Sequence, residues 1–205
     1  MPSIRLAAIA LSTLALTACG NPGDVAMRNA PLDLGPGPAV AASSIMRSYD
    51  VVKFDFMVPR ALTVSERNGY YPVADIVWRG DPIGDRKAQL GEIFTTAIQR
   101  GMEDGTGGRP VAVEVELVRF HGVTERVLYS IGGNYHIIFN LTVRDAQTGA
   151  ILEPTQRIET NLASNGGEAV LRDQHIGQTQ KVRVTGFLAV TLRDALTGPV
   201  QTAAR

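Results

Sequence analysis

The chain has 205 residues, and its 20 Lys and Arg side chains balance 20 Asp and Glu side chains, so it carries no net charge at neutral pH. A neutral chain lacks the basic surface on which nucleic-acid binding depends, and this excludes nucleic-acid partners. The single cysteine, Cys19, excludes a framework of disulfide bonds within the chain.

The first residues have the pattern of an export signal. Arg5 supplies a positive charge, and Leu6–Ala18 is uncharged and mostly apolar but too short to span a bilayer. The stretch Leu16-Thr17-Ala18-Cys19 resembles the bacterial lipobox. This resemblance implies that residues 1–18 are a lipoprotein signal peptide and that Cys19 carries the lipid that anchors the chain to a membrane.

The lipid on Cys19 is the membrane attachment that the sequence predicts. After the signal peptide, no stretch approaches the length of apolar residues that a membrane-spanning helix needs. Gly20 stands where, in well-studied Gram-negative bacteria, an Asp holds a lipoprotein at the inner membrane. The resemblance therefore implies a bacterial envelope protein that faces the periplasm, with the outer membrane favoured.

Composition divides the rest of the chain into a tether, one domain and a short tail. Residues 19–48 are rich in Gly, Pro and Ala without periodicity, which predicts a lipidated Cys19 followed by a flexible tether. Residues 49–198 are long enough for a single domain with its own core. Residues 199–205 are predicted to be a short C-terminal tail.

The domain begins with two predicted strands and a helix. Apolar and polar residues alternate from Val52 to Val58, which predicts a half-buried strand with Val52 on its apolar face. The run Val73–Trp78 predicts a second strand. Apolar residues then recur with helical spacing up to Met102, and Asp85 is suited to cap the start of that helix.

A meander of antiparallel strands is predicted next. Alternation over residues 111–117 and 135–143 indicates two long strands. Val127 and Tyr129 are assigned to a short strand between them. A hairpin turn at residues 145–152 leads into a strand over residues 158–162.

The last segment of the domain fits two interpretations. Residues 182–192 alternate as in a strand, but residues 184–195 also have helical apolar spacing, and Gly198-Pro199 is a typical helix stop. The helix is favoured. The predicted fold class is therefore α+β, a mostly antiparallel sheet of about five strands with two helices packed on one face.

This order of elements is similar to that of small periplasmic domains, including the auxiliary lipoproteins of lipid-transport ABC systems and the curli-secretion lipoprotein. Three segments resemble an uncharacterised family of alphaproteobacterial envelope lipoproteins: "ADIVWRGDPIGDRKAQ", "VRFHGVTERVLYSIGG" and "GQTQKVRV". The similarity extends over most of residues 50–195. The resemblance implies a lipoprotein of unknown activity, and it supplies no functional residues.

The sequence contains no recognised catalytic, nucleotide or metal motif, so we predict a non-enzymatic protein without a cofactor. His121 and His136 approach each other if their strands pair antiparallel, and with Glu125 they would suit a zinc ion. An exposed strand histidine is more often a polar surface residue, so no metal site is predicted. Glu114 and Glu116 lie on one strand face and leave a hydrolase as the least favoured alternative.

One short stretch concentrates the residue types that dominate binding sites. Tyr70, Tyr71, Trp78 and Arg79 lie within ten residues and include the only tryptophan. The alternative is that Trp78 ends a buried strand while the tyrosines pack their loop onto the core. The hypothesis is a binding or assembly module that contacts an envelope protein partner through this loop or a sheet edge. The alternative is a small-ligand, glycan or lipid binder that uses the same aromatic residues.

Overall fold

The computed structural model describes residues 44–105 and 107–201. The predicted signal peptide, Cys19 and the tether up to residue 43 lie outside the described residues. The described part is α+β, as predicted, and none of its helices has both the length and the apolar character that a bilayer crossing needs. Its elements are β1 (Ser44–Met46), β2 (Tyr49–Met57), β3 (Ile76–Val77), α1 (Arg86–Gly101), β4 (Arg109–His121), α2 (Glu125–Leu128), β5 (Gly133–Asp145), β6 (Ile151–Ser164), α3 (Glu168–His175), α4 (Gln180–Thr197) and β7 (Pro199–Gln201).

The main sheet has five strands, with the order β2-β4-β5-β6 and with β3 beside the far end of β4. The predicted meander is confirmed, because β4 pairs antiparallel with β5 and β5 pairs antiparallel with β6. The sheet is not antiparallel throughout, since β2 and β3 both run parallel to β4. A parallel pair needs a long connection, and the segment that contains α1 provides it between β2 and β4.

The two predicted long helices, α1 and α4, contribute to one core with the inner face of the sheet. Phe94 of α1 stacks on Phe56 of β2 with ring centroids 4.6 Å apart and meets Phe139 of β5 edge-on at 5.5 Å. The helices touch closely at Gly101, where an added Cβ would lie 2.5 Å from the carbonyl oxygen of Ala189. The helical interpretation of residues 184–195 is therefore confirmed, and α2 and α3 are additional short helices.

Helix α1 begins where the sequence predicts. Asp85 is its N-cap, and its carboxylate accepts hydrogen bonds from the backbone N–H groups of Lys87 and Ala88. These bonds satisfy amides that have no partner within the helix.

The strand predicted at Val127 and Tyr129 and the predicted core-facing position of Val52 are both wrong. Val127 and Tyr129 do not form a strand, because Val127 lies in α2 and Tyr129 is its C-cap, while Thr124 caps the helix start. Val52 does not face the core, because an irregularity in the β2–β4 register falls between Val51 and Lys53. Val51 packs against the core instead, and Val52 is 58% exposed.

Residues on both sides of the predicted domain limits pair with each other. β1, within the predicted tether, pairs antiparallel with β7 at the start of the predicted tail. Next to β1, Arg47 donates two hydrogen bonds to the buried carboxylate of Glu153, at 2.7 and 2.8 Å. Arg47 also donates to the carbonyl oxygens of Ala195 and Gly198 at the end of α4. Described structure therefore begins before residue 49 and continues past residue 198.

Candidate functional site

The structure divides the four candidate binding residues into a buried pair and an exposed pair. Trp78, directly after β3, has no exposed surface. Its ring meets Phe120 of β4 edge-on at 5.7 Å, and its Nε1–H donates to Asp81 Oδ2 at 2.8 Å. Both the apolar surface and the polar group of Trp78 are thus used inside the protein, as in the alternative interpretation of this residue.

Arg79 is also enclosed, in a cluster of charges around Glu66. Its side chain is 6% exposed, and it binds Glu66 Oε2 at 2.5 Å and the Glu66 carbonyl oxygen. The buried Arg86 of α1 binds the same carboxylate, with Nε 2.7 Å from Oε1. The hydrogen bond from Arg86 and the nearby positive charges lower the pKa of Glu66. Arg79 therefore ties the loop to α1, and its guanidinium is not turned outward.

The two tyrosines lie on the surface. Tyr71 is 88% exposed and Val73 is fully exposed, whereas Pro72 between them is buried. Tyr70 is partly exposed, and the Arg126 guanidinium lies 5.6 Å from the centroid of its ring. The buried Pro72 fixes the loop to the protein while the side chains on either side of it project outward.

Hydrogen bonds from the start of α2 hold this loop in place. The Thr124 hydroxyl, which also caps α2, donates to the Gly69 carbonyl at 2.8 Å. The backbone N–H of Arg126 donates to Asn68 Oδ1 at 2.8 Å. Tyr70 and Tyr71 therefore follow a segment whose backbone is anchored.

The loop that carries the tyrosines borders two clefts. One cleft has a volume of about 200 Å³ and the other about 590 Å³, and Tyr70, Tyr71 and Pro72 line both of them. Ile131, which is largely exposed, lines the smaller cleft, and Val73 lines the larger one. We call the exposed side chains Tyr70, Tyr71, Val73 and Ile131 the Tyr71 surface.

Polar groups line the larger cleft beside these apolar residues. The Asp75 carboxylate accepts from the Thr63 N–H at 2.8 Å and from its hydroxyl at 2.7 Å, and these bonds lower the Asp75 pKa. Within the described residues, Arg119 Nε is buried without a hydrogen-bond partner. His121 Nδ1 lies 3.2 Å from Arg119 Nη2, and burial, followed by the Arg119 charge, lowers the His121 pKa. The cleft thus offers a cation, an anion and a neutral ring to whatever enters it.

The zinc hypothesis has one part that the structure supports and one that it does not. The register of β4 and β5 places His121 opposite His136, as antiparallel pairing predicts. Glu125 does not join them, because it starts α2 and lies 3.6 Å from Arg79 Nε. His136 Nε2 instead contacts Glu159 Oε1 at 2.8 Å. Within residues 44–105 and 107–201, no three His, Cys, Asp or Glu side chains are grouped as a metal site.

The two carboxylates named for a hydrolase lie on the outer face of the sheet. Glu114 accepts from Arg144 Nε at 2.8 Å, and Glu116 lies 3.4 Å from the Asn140 amide nitrogen. Both line a cleft of about 390 Å³ together with Asp55. Each of them thus has a polar side chain of β5 as its neighbour in the sheet.

Three residues of this region are not predicted as site residues from the sequence: Val73 and Ile131, which are exposed, and Glu66, which is the centre of a charge cluster. Val73 was assigned to a strand, but β3 begins only at Ile76. Ile131 precedes Gly132, whose positive φ of 72° marks a turn, and an isolated apolar residue in such a turn is a usable signal of exposure. The partners of Glu66 are brought together only by the fold.

Comparison with known proteins places the chain in a family. Residues 49–205 match the family of unknown function DUF6778, and the chain belongs to that family. This confirms the coarser part of the resemblance, an uncharacterised family that covers the predicted domain. None of the curated proteins matches the chain.

Two solved structures are similar to this chain at low sequence identity. A Xanthomonas campestris protein of the family DUF330 is 13% identical, with a TM-score of 0.39, over 76% of this chain and 86% of that one. A minor lipoprotein from Acinetobacter baumannii is 9% identical, with a TM-score of 0.32, over 73% of this chain and 96% of that one.

Proposed function

We propose that this protein is a lipid-anchored bacterial envelope protein, at the outer membrane, whose domain is a non-enzymatic module that binds a partner protein. The Tyr71 surface is the observation that carries the binding role. Its four side chains are large and apolar, and each lines a cleft. Neighbouring exposed apolar side chains are typical of interaction sites.

The anchored backbone makes this surface suited to binding. Thr124 and Arg126 hydrogen-bond to the two residues just before Tyr70, and the buried Pro72 directly follows Tyr71. A contact residue on a fixed loop loses little conformational freedom when a partner binds, so more of its contact energy appears as affinity. Tyrosine adds a large ring with few rotatable bonds and a hydroxyl for a hydrogen bond.

The anchor is tested by replacing the predicted lipid-bearing residue, Cys19→Ser. The variant should remain an uncut precursor or be released from the membrane fraction, because the lipid attachment point is gone. Membrane fractionation and intact mass measure this, with wild type and wild type treated with globomycin, an inhibitor of the lipoprotein signal peptidase, as controls. A wild-type protein that is found in the soluble fraction without added lipid mass would contradict the anchor.

The binding role is tested by affinity capture of the full chain from crosslinked envelopes. Wild type should recover one partner protein in near-stoichiometric amount, and Tyr71→Ala should weaken recovery by about 2 kcal/mol of binding free energy, as loss of a binding hot spot does. Ile176→Ala is the matched control, since Ile176 is also exposed but lines neither cleft. Equal recovery by wild type and the Tyr71 variant would remove this surface from the proposal.

The larger cleft supports one other function, the binding of a small ligand, glycan or lipid headgroup. Its volume of about 590 Å³ is within the range of ligand sites. Arg119 and Asp75 offer it opposite charges beside the tyrosine rings. This function is favoured if the capture experiment recovers the protein alone with sugar or lipid retained, and if Arg119→Gln abolishes that retention.

A further inference from the structure

The outer edge of β6 is a long strand edge without a partner among the described residues. β6 has 14 residues and is the last strand in the sheet order, where it pairs with β5 on one side only. The strand at the other end of that order, β2, has 9 residues. Free N–H and C=O groups on a long edge pair readily with another strand, so natural edges are usually short or covered.

Both ends of this edge are closed. Pro154 has no N–H to donate. Near the other end, Arg183 of α4 donates to the Ala163 carbonyl oxygen at 3.0 Å. The free stretch is therefore residues 155–161, which at strand spacing is about 23 Å long.

The charges on this stretch complement each other about its centre. Arg157 and Glu159 flank Ile158, and both are exposed on the outer face of the sheet. Glu159 contacts His136 in its own chain, whereas Arg157 forms no salt bridge with any described carboxylate. The stretch thus carries one positive and one negative side chain at equal distances from Ile158.

We propose that β6 pairs antiparallel with β6 of a second copy of this chain, centred on Ile158. A two-fold axis perpendicular to the joined sheet places residues of the same face opposite each other. Arg157 of each copy then lies opposite Glu159 of the other, which gives two favourable cross-strand pairs. Registers centred on Arg157 or on Glu159 would place like charges opposite each other, so the charge pattern selects one register over its neighbours.

Cysteine crosslinking of the full-length chain tests the register. In Ile158→Cys the two new cysteines lie opposite each other, with Cα atoms about 4.5–5.5 Å apart, which a disulfide can bridge. Thr160→Cys is the matched control, because its two copies are offset by about 13 Å along the strands. Under mild oxidation, Ile158→Cys should form a covalent dimer and Thr160→Cys should not. Wild type, whose only cysteine is Cys19, gives the background. Equal crosslinking at both positions would overturn the register.

Charge reversal tests the same pairing without cysteine chemistry. Arg157→Glu or Glu159→Arg alone creates two like-charge pairs and should raise the dimer dissociation constant about tenfold or more, measured by sedimentation of the full chain in detergent. The double variant restores opposite charges and should return the constant to near the wild-type value. A wild-type chain that stays monomeric, or single variants that dimerise as wild type does, would overturn the proposal.

The dimer and the partner-binding role can fail separately. The β6 edge shares no residue with the Tyr71 surface, so Tyr71→Ala should leave the dimer unchanged. Conversely, Arg157→Glu should still recover the partner protein in the capture experiment. Loss of both properties in either variant would indicate a folding defect, which thermal melting of the same samples detects.

Discussion

Tyr71 and Trp78 belong to the same aromatic stretch of sequence, yet Tyr71 is 88% exposed and Trp78 is completely buried. The difference arises from their positions relative to β3. Trp78 follows β3 directly, so pairing of β3 with β4 holds it over the core. Tyr71 precedes β3 in a loop that α2 anchors. Residue type alone therefore does not distinguish a buried aromatic side chain from an exposed one. In this stretch, the position relative to β3 does.

The sharpest test of this contrast compares the stability of two truncations. Trp78→Ala should lower the free energy of unfolding by about 3–5 kcal/mol, because it leaves a cavity and removes the donor to Asp81 Oδ2, while Lys181 still binds Oδ1. Tyr71→Ala should change it by less than about 0.5 kcal/mol, as for most surface substitutions. Urea denaturation measures both. Similar losses in the two variants would mean that the exposed and buried halves of the stretch are not distinct.

Local patterns predicted the parts of the fold that local chemistry determines. The apolar spacing and Asp85 cap of α1, and the alternation in β4 and β5, are each contained within one element. The parallel pairing of β2 with β4 depends on a connection that contains a whole helix, and no local pattern reports it. The α2 segment was mistaken for a strand because Val127 and Tyr129 also fit a spacing of two.

The candidate site, like the fold, could be predicted from the sequence only in part. The composition of residues 70–79 drew attention to the region but could not separate the exposed Tyr71 from the buried Trp78. Glu66 carries no signal of its own, because its partners Arg79 and Arg86 lie 13 and 20 residues further along the chain. A carboxylate shared by two guanidinium groups is a product of the fold, so it is visible only in the structure.

Glu66 provides a test of intermediate size, because it joins the buried Arg79 to α1. Glu66→Gln should cost about 1–3 kcal/mol, since it removes the carboxylate that two enclosed guanidinium groups share. Partial exposure of Glu66, and the Glu125 carboxylate 3.6 Å from Arg79 Nε, moderate the loss. Chemical denaturation at neutral pH measures this cost. Glu168→Gln is the control, because that carboxylate is almost fully exposed.

The same carboxylate makes stability depend on pH in a definite direction. The pKa of Glu66 is lowered in the folded protein, first by the hydrogen bond from Arg86, from an ordinary value of 4.5. Its contribution is therefore complete above pH 4.5 and is lost as pH falls through the lower folded value. The melting temperature of wild type should fall in that window more steeply than that of Glu66→Gln. Parallel curves for the two proteins would contradict this role.

Tyr70 lies between Trp78 and Tyr71 in exposure, and its truncation should have a smaller effect on stability than that of Trp78. Its ring is partly exposed and lies 5.6 Å from the Arg126 guanidinium. Tyr70→Ala should lower the free energy of unfolding by about 0.5–1.5 kcal/mol, because it removes a partly buried ring and an exposed cation–π contact. Tyr70→Phe keeps the ring and should retain most of that stability. In a double-mutant cycle with Arg126→Gln, the coupling should be about 0.5 kcal/mol. A loss as large as that of Trp78→Ala would assign Tyr70 to the core and reduce the Tyr71 surface to three residues. A small loss with the expected coupling would leave Tyr70 as the rigid border of the surface, held by α2 and available to a partner on its exposed side.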